Sequence, residues 1–234
     1  LSVLAAHLDH GLRPQSGAEA QACAEACRDL GVEVVVGRAD VRAAARKRRL
    51  GLEEAGRAER LAFLRRVAKS RGAAAIALAH TRDDQAETLL LRLLRGAGPL
   101  GLGAMAEQRD DLVRPLLSTS RAEVLAHLER RALTPVEDPS NADPAHLRNR
   151  VRHELIPYLE SRFNPRIRRA LASTAGLVRE QTELLMQQAA RLLAEASSRR
   201  PDGFWLEAKP LCAAPLPLAR ERVRQAIQQT AGEV

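Results

Sequence analysis

A cluster of acidic side chains follows a short apolar run near the middle of the chain. The run Ala73–Ala79 ends at His80, and three carboxylates come next, from Asp83, Asp84 and Glu87. A short apolar run is typical of a buried parallel strand, and the leucines that recur after it at helical spacing indicate a helix. Open α/β sheets bind ligands where a strand ends and a helix begins. The segment therefore predicts a functional site.

The spacing of these acids places them on one face of the helix. Asp83 and Asp84 stand four and three residues before Glu87, and like charges so spaced cost about 0.2–0.5 kcal/mol per pair. Acids in a first turn also complement the helix dipole, which explains one or two of them without any function. Thr81 precedes Asp84 by three residues, close to a capping box. We favour the functional interpretation, because dipole compensation accounts less well for the whole polar run 80–88.

A second polar cluster ends the first apolar run of the chain. Leu1–Ala6 is predicted to be a strand, and His7, Asp9 and His10 follow at its carboxyl end. Because parallel strands align their carboxyl ends, we expect the two clusters to line one crevice. Histidine and aspartate are metal ligands, and a nucleotide would bring magnesium. A dedicated zinc site is not expected, since zinc takes sulfur and nitrogen ligands in a closed set.

Arginine supplies most of the positive charge. The chain has 234 residues, a net charge of +8 and a pI near 10.5, which indicates a polyanionic partner such as a nucleic acid or nucleotide. The motif R-N-R-V-R at 148–152 stands in an arginine-rich segment, and guanidinium groups at i,i+4 spacing suit phosphate oxygens. A solvated basic face is the alternative. We favour phosphate contact, without base specificity.

Composition excludes several classes of protein. No apolar run is long enough to span a membrane, and no secretory signal pattern is visible. Cys23, Cys27 and Cys212 form no C-x-x-C pair. Cys23 and Cys27 lie one helical turn apart, so buried thiols are favoured over a metal site. A reducing, cytoplasmic setting is predicted.

The order of the elements predicts an α/β fold, a parallel sheet with helices on both faces, followed by a mostly helical domain. The expected domains are 1–130 and 131–234. A glycine-rich loop at 95–103 is expected to be irregular, and it is no Walker motif. The predicted strands are Leu1–Ala6, Val32–Val36, Ala73–Ala79, Leu112–Leu117 and a short piece at Phe204–Glu207. The predicted helices run from Ser16 to Gly31, through much of Val41–Arg71, from Arg82 to Arg95 and from Ser120 to about Ala132.

Seven motifs in order resemble those of the tRNA(Ile)-lysidine synthetases, a family of the PP-loop ATP pyrophosphatase group. Together they cover nearly the whole chain, and their order and spacing are highly specific. The motifs are H-L-D-H-G-L-R at 7–13, G-L-E-E-A-G-R-A-E-R at 51–60, A-H-T-R-D-D-Q-A-E-T at 79–88, R-G-A-G-P-L-G-L-G-A-M at 95–105, R-P-L-L at 114–117, E-D-P-S-N-A-D at 137–143 and R-N-R-V-R at 148–152.

The resemblance implies a ligase that forms a carbon–nitrogen bond on a tRNA anticodon. ATP adenylates the C2 oxygen of the wobble cytidine, and the ε-amine of free lysine then displaces AMP to give lysidine. The implied cofactors are ATP and Mg²⁺, and the implied partner is tRNA(Ile) with a CAU anticodon. The implied setting is the cytoplasm without a membrane, and a homodimer stays open.

The resemblance also implies roles for individual residues, which spacing does not decide. The acids hold magnesium, orient the cationic lysine or accept a proton from its amine, with Asp84 as the metal candidate. The implied catalytic residues are Asp83, Asp84, Glu87 and His80. The implied nucleotide-binding residues are Arg57, Arg60, His7 and Asp9. The implied tRNA-binding residues are Arg148, Asn149, Arg150 and Arg152.

One departure from the family leads to a further expectation. The S-G-G-x-D-S loop that should wrap the pyrophosphate of ATP just upstream of the first strand is absent, as is the carboxyl-terminal domain of longer members. We expect an amino-terminal truncation, with poor ATP binding and little activity for the isolated chain. Two rivals are a PP-loop tRNA thiolation enzyme, disfavoured by the missing cysteine pairs, and a non-catalytic basic RNA-binding protein.

Overall fold

The computed structural model describes residues 2–12, 16–135, 143, 146–200 and 203–231. Arg13 and the E-D-P-S-N-A segment at 137–142, both parts of motifs, lie outside these residues. Two compact units form the chain, and the sequence-based division at residue 130 stays a prediction. The first unit contains Leu1–Ala79, Gln108–Pro115 and Leu128–Asp138, and the second unit contains His80–Glu107, Leu116–His127 and Pro139–Val234.

Strands and helices alternate in the amino-terminal part, and helices dominate after it. The elements up to residue 113 are β1 Leu4–Asp9, α1 Ser16–Asp29, β2 Glu33–Arg38, α2 Val41–Arg48, α3 Leu52–Arg71, β3 Ile76–Ala77, α4 Arg82–Leu94, α5 Pro99–Leu102, β4 Gln108–Arg109 and β5 Leu112–Val113. The later elements are α6 Arg121–Arg130, α7 Leu147–Arg150, a π-helical segment Val151–Leu155, α8 Ile156–Arg162, α9 Ile167–Glu195, β6 Ser197–Arg200, β7 Gly203–Leu206, α10 Ala208–Ala213 and α11 Leu216–Ala231. The predicted α/β class with a helical carboxyl-terminal part is confirmed.

The first unit is built on a parallel pair of strands. β1 and β2 pair in parallel from Leu4 opposite Glu33 to Asp9 opposite Arg38. α3 covers this pair, and its Phe63 and Val67 bury Leu8. A Cβ atom at Gly37 would stand 2.4 Å from the Phe63 ring, so only glycine lets the helix approach the strand this closely. The core thereby fixes β1, whose carboxyl end carries the first polar cluster.

The strand predicted at Ala73–Ala79 is much shorter than expected. Only Ile76 and Ala77 form ladder pairs, in parallel with Leu112 and Val113 of β5, whose other edge pairs antiparallel with β4. Alanine side chains bury little apolar area, so an alanine-rich run gains less from sheet packing than a Val- or Ile-rich one. The predicted strand Leu112–Leu117 is likewise limited to two residues.

Helices predicted as one segment are two in the structure. α2 ends at Arg48, and the next residue, Arg49, adopts a left-handed conformation with φ 55°. α3 begins three residues after Arg49. Asp40 caps α2 by accepting a hydrogen bond from the Ala43 backbone N–H at 2.9 Å. The expectation of a wholly irregular loop at 95–103 was wrong, because Pro99 at the helix start supports one short helix there, α5.

The second unit is held by helices. Leu90 of α4, Val151 of the π-helical segment and Ile156 of α8 form a buried cluster, and Leu171 of α9 packs against it. This cluster sets α4 beside the arginine-bearing helix α7. Among the described residues, no helix is long and apolar enough to cross a membrane.

Candidate active site

The start of α4 is a capping box that fixes the side chain of Asp84. The Thr81 hydroxyl accepts a hydrogen bond from the Asp84 N–H at 3.4 Å, and Asp84 Oδ2 accepts from the Thr81 N–H and hydroxyl, each at 2.8 Å. This reciprocal pattern satisfies helix N–H groups that would lack partners. The sequence signal of Thr81 followed by Asp84 is thereby confirmed as a helix start. His80, half-buried, directly precedes it.

One turn further on, Glu87 lies buried at the centre of an ion-pair cluster. Its side chain is 1% exposed. Arg152 donates from Nε to Oε1 at 2.6 Å and from Nη2 to Oε2 at 2.9 Å, and Arg148 Nε donates to Oε2 at 2.9 Å. The Nη2 atoms of both arginines reach Asp84 Oδ1 at 3.3 Å. Two carboxylates and two guanidinium groups therefore neutralise one another. We call these four residues the acid–arginine cluster.

The charges of the cluster shift the titration of its members. Burial raises the pKa of the Asp84 carboxyl, but the hydrogen bonds from Thr81 and the charges of Arg148 and Arg152 outweigh it and hold the pKa below its ordinary value. Burial lowers the pKa of the Arg152 guanidinium, and the hydrogen bonds and charge of Glu87 raise it further than burial lowers it. Asp84 and Arg152 are consequently charged at neutral pH.

A π-helical segment positions the second arginine. Arg148 lies on α7, whereas Arg152 lies in Val151–Leu155, where the helix widens before α8. π-Helical turns are rare and occur frequently at functional sites. The segment is anchored by Val151, which is buried against Leu90 of α4. With this anchor, both guanidinium groups reach the same carboxylate.

The third acid, Asp83, belongs to a neighbouring network. Its Oδ1 accepts a hydrogen bond from Arg168 at 3.1 Å, and its Oδ2 accepts from the Arg121 backbone N–H at 2.8 Å. Arg168 also donates to Glu160 at 2.8 Å. Asp83 thus links α4 to the starts of α6 and α9 rather than binding the arginines of the R-N-R-V-R motif. Its catalytic role stays a prediction.

Sequence reasoning missed two residues that support the site. Arg168 was counted only as part of a basic segment, and Gln85 only as one polar residue of the run. Gln85 is buried, and its amide donates to the Met105 carbonyl at 2.8 Å and accepts from the Met105 N–H at 2.9 Å. These hydrogen bonds fasten the segment just after the glycine-rich loop to α4. No local pattern signals contacts across 20 and 85 residues.

The predicted tRNA-binding residues have different surroundings. Arg148 and Arg152 are engaged with acids of their own chain, as described. The Asn149 side chain is buried, and its Nδ2 donates to the Asp143 carbonyl at 2.8 Å. Arg150 is exposed, and its Nε lies 3.9 Å from Glu154 Oε2. Arg150 is therefore placed to meet an external phosphate as it stands, whereas Arg148 and Arg152 would first have to leave their carboxylates.

The first unit holds a separate cavity of about 440 Å³, which we call the histidine cavity. His7, Asp9, His10, Ser16 and Arg60 line it, together with the end of β3. Asp9 accepts a hydrogen bond from the Gly11 N–H at 2.8 Å, and hydrogen bonds from Ser16 and Gly11 lower the pKa of its carboxyl. The cavity combines an anionic, a cationic and two imidazole groups, which suits a polar ligand such as a nucleotide.

His10 and Arg60 have pKa values that reflect this cavity. Burial, then the charge of Arg60, lowers the pKa of His10 below its ordinary value. Burial, then the charge of Arg57, lowers the pKa of Arg60, whose side chain nonetheless keeps solvent exposure. The Nδ1 atom of His10 is buried without a hydrogen-bond partner. A neutral imidazole that lacks a partner is available to a ligand. The predicted crevice joining this cavity to the acids of α4 stays a prediction.

The expected magnesium site at Asp84 does not fit the side chains as they are arranged. One Asp84 oxygen is taken by Thr81, and the other faces two guanidinium groups. Across the described parts of the chain, no group of three or more His, Cys, Asp or Glu side chains is placed to hold a metal ion. A cation next to Asp84 would meet the positive charges already there.

Comparison with known proteins gives close relatives. A tRNA(Ile)-lysidine synthase from Geobacter sulfurreducens is 46% identical over 202 residues, which are 85% of this chain and 42% of the relative. Another, from Thermus thermophilus, is 41% identical over 225 residues, 96% of this chain and 43% of the relative. A third, from Bradyrhizobium, is 38% identical over 99% of this chain and 66% of its own. The chain spans about half the length of the curated relatives it matches.

The fold comparison agrees with these relatives. A solved structure of a U34-tRNA thiolase from Methanococcus maripaludis, with its [4Fe-4S] cluster, superimposes with a TM-score of 0.62. It shares 17% sequence identity and covers 76% of this chain and 63% of its own, so it bears on the fold alone. The family model of the PP-loop domain matches residues 1–159, well over half of the 234. The chain therefore belongs to the PP-loop domain family.

Proposed function

We propose that this chain is the catalytic part of an ATP-dependent ligase that joins lysine to the wobble cytidine of a tRNA(Ile) with a CAU anticodon. The observation that carries the proposal is the run of relatives named tRNA(Ile)-lysidine synthase, 38–46% identical over 85–99% of this chain. The acid–arginine cluster supports it, because the reaction joins a cationic amine to a phosphorylated base. The setting proposed is the cytoplasm, where free lysine, ATP and tRNA occur together.

The reaction has two bond-forming steps. In the first, the C2 oxygen of cytidine attacks the α-phosphorus of ATP, and pyrophosphate leaves. In the second, the lysine ε-amine attacks C2, the C2–O bond breaks, and AMP leaves with that oxygen. The attacking amine loses a proton, which a basic group must accept. Magnesium would enter with ATP rather than through Asp84, and it would supply charge neutralisation at the phosphates.

The acids of α4 bind the lysine by exchanging one cation for another. Asp84 and Glu87 hold two guanidinium groups, and the lysine ε-ammonium carries the same charge as either one. When the adenylated cytidine arrives, its phosphate attracts Arg148 or Arg152, because guanidinium forks pair with phosphate oxygens. The lysine takes the place that is vacated. The buried carboxylates thus stay paired throughout, which avoids the several kcal/mol that an unpaired buried charge costs.

The same exchange brings a removable proton to a carboxylate. Arg148 and Arg152 contribute to the low pKa of Asp84 in this structure. The lysine ammonium that replaces one guanidinium keeps a positive charge beside Asp84, but unlike a guanidinium it can give up a proton. Asp84 accepts that proton, directly or through water, while Glu87 keeps the remaining arginine in place.

The histidine cavity of the first unit binds the nucleotide. Arg60 neutralises phosphate charge, and Asp9 and the neutral His10 accept hydrogen bonds from ribose or base. Arg57 and His7 adjoin these groups and contribute positive charge and a further hydrogen bond. Arg150, exposed beside the acid–arginine cluster, contacts the tRNA backbone.

The test separates the two steps in the protein expressed from its complete gene. Pyrophosphate release without lysine reports adenylation, and incorporation of labelled lysine into tRNA reports transfer. We expect Asp84→Asn and Glu87→Gln to reduce transfer about 100-fold or more and adenylation by less. Glu180→Gln, an exposed change on α9, serves as the control, and circular dichroism confirms that each variant is folded.

Two results would contradict the proposal. Unchanged rates of both steps in the two variants would remove the acids from the mechanism. Tight tRNA binding by the wild-type protein without pyrophosphate release or lysine incorporation would favour the non-catalytic RNA-binding alternative. Sedimentation of the same preparation tests whether a homodimer forms.

A further inference from the structure

Two exposed aromatic side chains lie together, one in the first turn of α8 and one directly after the helix. The whole chain has only five aromatic residues, one Trp, one Tyr and three Phe. Tyr158 is 56% exposed and Phe163 is 70% exposed. Their ring centroids are 5.8 Å apart with an interplanar angle of 64°, an edge-to-face arrangement. An edge-to-face contact covers at most one face of one ring, and both side chains are more than half exposed, so ring surface remains open for a further contact.

Tyr158 also borders an apolar groove of about 440 Å³. Leu94 of α4, with Leu147 and Leu155, provides apolar walls, and Arg150 and Glu154 supply charge at the edge. Leu94 and Leu147 are 59% and 41% exposed. Exposed apolar side chains that adjoin one another in this way mark interaction sites more often than scattered ones do. We call this feature, with Tyr158, the tyrosine groove.

The groove continues along the helices that carry the acid–arginine cluster. Leu94 stands ten residues after Asp84 on α4, about 15 Å along the helix axis at 1.5 Å per residue. Asp84, Glu87 and Leu94 are spaced to lie on one stripe of the helix. On the facing helix, Tyr158 follows Arg152 by six residues. The groove and the acid–arginine cluster are therefore built on the same helices.

The charge around the groove favours an anionic partner. Arg162 follows Tyr158 by four residues, so the two share a helix face, and among the described residues it forms no ion pair. Arg150 has only a 3.9 Å contact with Glu154. A second copy of this chain would bring the same arginines against each other, which disfavours self-association. RNA supplies phosphates for the arginines and flat bases for the ring.

We propose that the tyrosine groove binds an unpaired base of the substrate RNA, which stacks on Tyr158 while Arg150 and Arg162 contact the adjoining phosphates. Stacking of unpaired bases on aromatic side chains beside arginines is a general mode of RNA recognition. The identity of the RNA rests on the proposed function, whereas the stacking contact itself does not. The groove is separate from the position where the reacting cytidine meets the acids of α4.

The test is equilibrium binding of fluorescein-labelled RNA to the whole chain, without ATP or lysine. One probe is a hairpin with a single-stranded loop, and the other is a blunt duplex with the same number of phosphates. We expect Tyr158→Ala to weaken hairpin binding about tenfold, within the range found for loss of one stacked base. Tyr158→Phe should stay within about twofold of wild type, and duplex binding should not change. Trp205→Ala, an exposed aromatic change on β7, is the matched control.

Each other outcome overturns the proposal. Equal losses for hairpin and duplex would mean that the tyrosine acts through general charge or fold. Undiminished hairpin binding by Tyr158→Ala and Phe163→Ala would exclude stacking. Loss of a concentration-dependent dimer in sedimentation, without loss of RNA affinity, would assign the groove to a second copy. Because lysine incorporation is assayed separately, stacking without ligation would refute the proposed function and leave the groove assignment intact.

Discussion

The acid–arginine cluster of the second unit and the histidine cavity of the first satisfy their polar groups in opposite ways. Glu87 is 1% exposed, and both of its oxygens accept hydrogen bonds from arginines of the same chain. His10 has a buried Nδ1 without a hydrogen-bond partner, and it faces a cavity of about 440 Å³. The first arrangement is complete within the chain, whereas the second keeps hydrogen-bond capacity that the described residues do not use.

This difference separates stability from binding. A buried ion pair contributes to folding mainly because breaking it leaves an uncompensated charge, so the cluster couples the fold of the second unit to its proposed chemistry. A cavity with open hydrogen-bond capacity contributes little to folding and gains its partner on binding. Under the proposed function, ligands would reach the cluster by exchange and the cavity by addition. The substitutions below test that distinction by their effect on stability.

The largest effect is expected at the centre of the cluster. Glu87→Gln keeps the size of the side chain but removes the charge that holds Arg148 and Arg152. We expect the free energy of unfolding to fall by about 3–5 kcal/mol, because two partly buried guanidinium groups lose their main counter-ion. Urea unfolding measures it, with Glu180→Gln as a surface control expected to stay within about 0.5 kcal/mol. A loss below about 1 kcal/mol would show that the cluster is not coupled to the fold.

The second largest effect is expected at Gln85, the buried residue of α4 that hydrogen-bonds to Met105. Gln85→Ala leaves the buried N–H and carbonyl of Met105 without their amide partner, although Arg179 still donates to that carbonyl at 2.7 Å. We expect a loss of about 1–3 kcal/mol in the free energy of unfolding. Gln85→Glu separates the two hydrogen bonds, because a carboxylate can accept from the Met105 N–H but cannot donate to the Met105 carbonyl. If Gln85→Glu equals wild type, the Met105 carbonyl does not need this donor.

The sequence predicted what local chemistry decides. Thr81 and Asp84 are three residues apart, and this spacing is enough to predict their capping box. The capping box located the helix start that carries the acids. The pairing of Glu87 with Arg148 and Arg152 spans 61 and 65 residues, and no periodicity shows which carboxylate a distant arginine reaches. The same arginines were assigned to phosphate, because spacing gives the chemistry a side chain can do and not its partner.

Strand length was the other limit of the sequence. The run Ala73–Ala79 was predicted from its apolar character, yet only Ile76 and Ala77 form ladder pairs. Alanine is apolar in a pattern count but adds little burial, so tertiary packing decides how much of such a run becomes a strand. The prediction of where the strand ends mattered more for function, because it located the acids of α4.

A smaller effect is expected from the acid at the helix start. Asp84→Asn retains an oxygen for Thr81, but it loses the charge and places an amide NH2 where Oδ1 accepts from Arg148 and Arg152. We expect a loss of about 1 kcal/mol at neutral pH. The folded pKa of Asp84 lies below its ordinary value of 3.8, so the unfolded chain takes up the proton first as the pH falls. The contribution is therefore present above pH 3.8 and is lost as the pH drops through the folded pKa.

Urea unfolding of both proteins between about pH 3 and pH 7 measures this contribution. The difference between wild type and Asp84→Asn should shrink at the acid end, because protonated wild type also lacks the charge. A difference that is constant over the whole range would mean that the carboxylate charge contributes nothing and that the amide acts through shape.

The smallest effect is expected in the histidine cavity. His10→Gln should change the free energy of unfolding by less than about 0.5 kcal/mol above pH 7. The Nδ1 atom of His10 has no hydrogen-bond partner, so the substitution breaks no hydrogen bond at that atom. The folded pKa of His10 is lowered by burial and by Arg60, so the unfolded chain binds the proton first as the pH falls below 6.5. Wild type should therefore lose stability from pH 6.5 downward through the folded pKa, and His10→Gln should lose less.

His127→Gln, an exposed change on α6, should follow wild type. If His10→Gln is as pH-sensitive as wild type, and a nucleotide stabilises both proteins equally, His10 neither titrates with folding nor contacts the nucleotide. The contrast between the two regions would then fail at the histidine cavity.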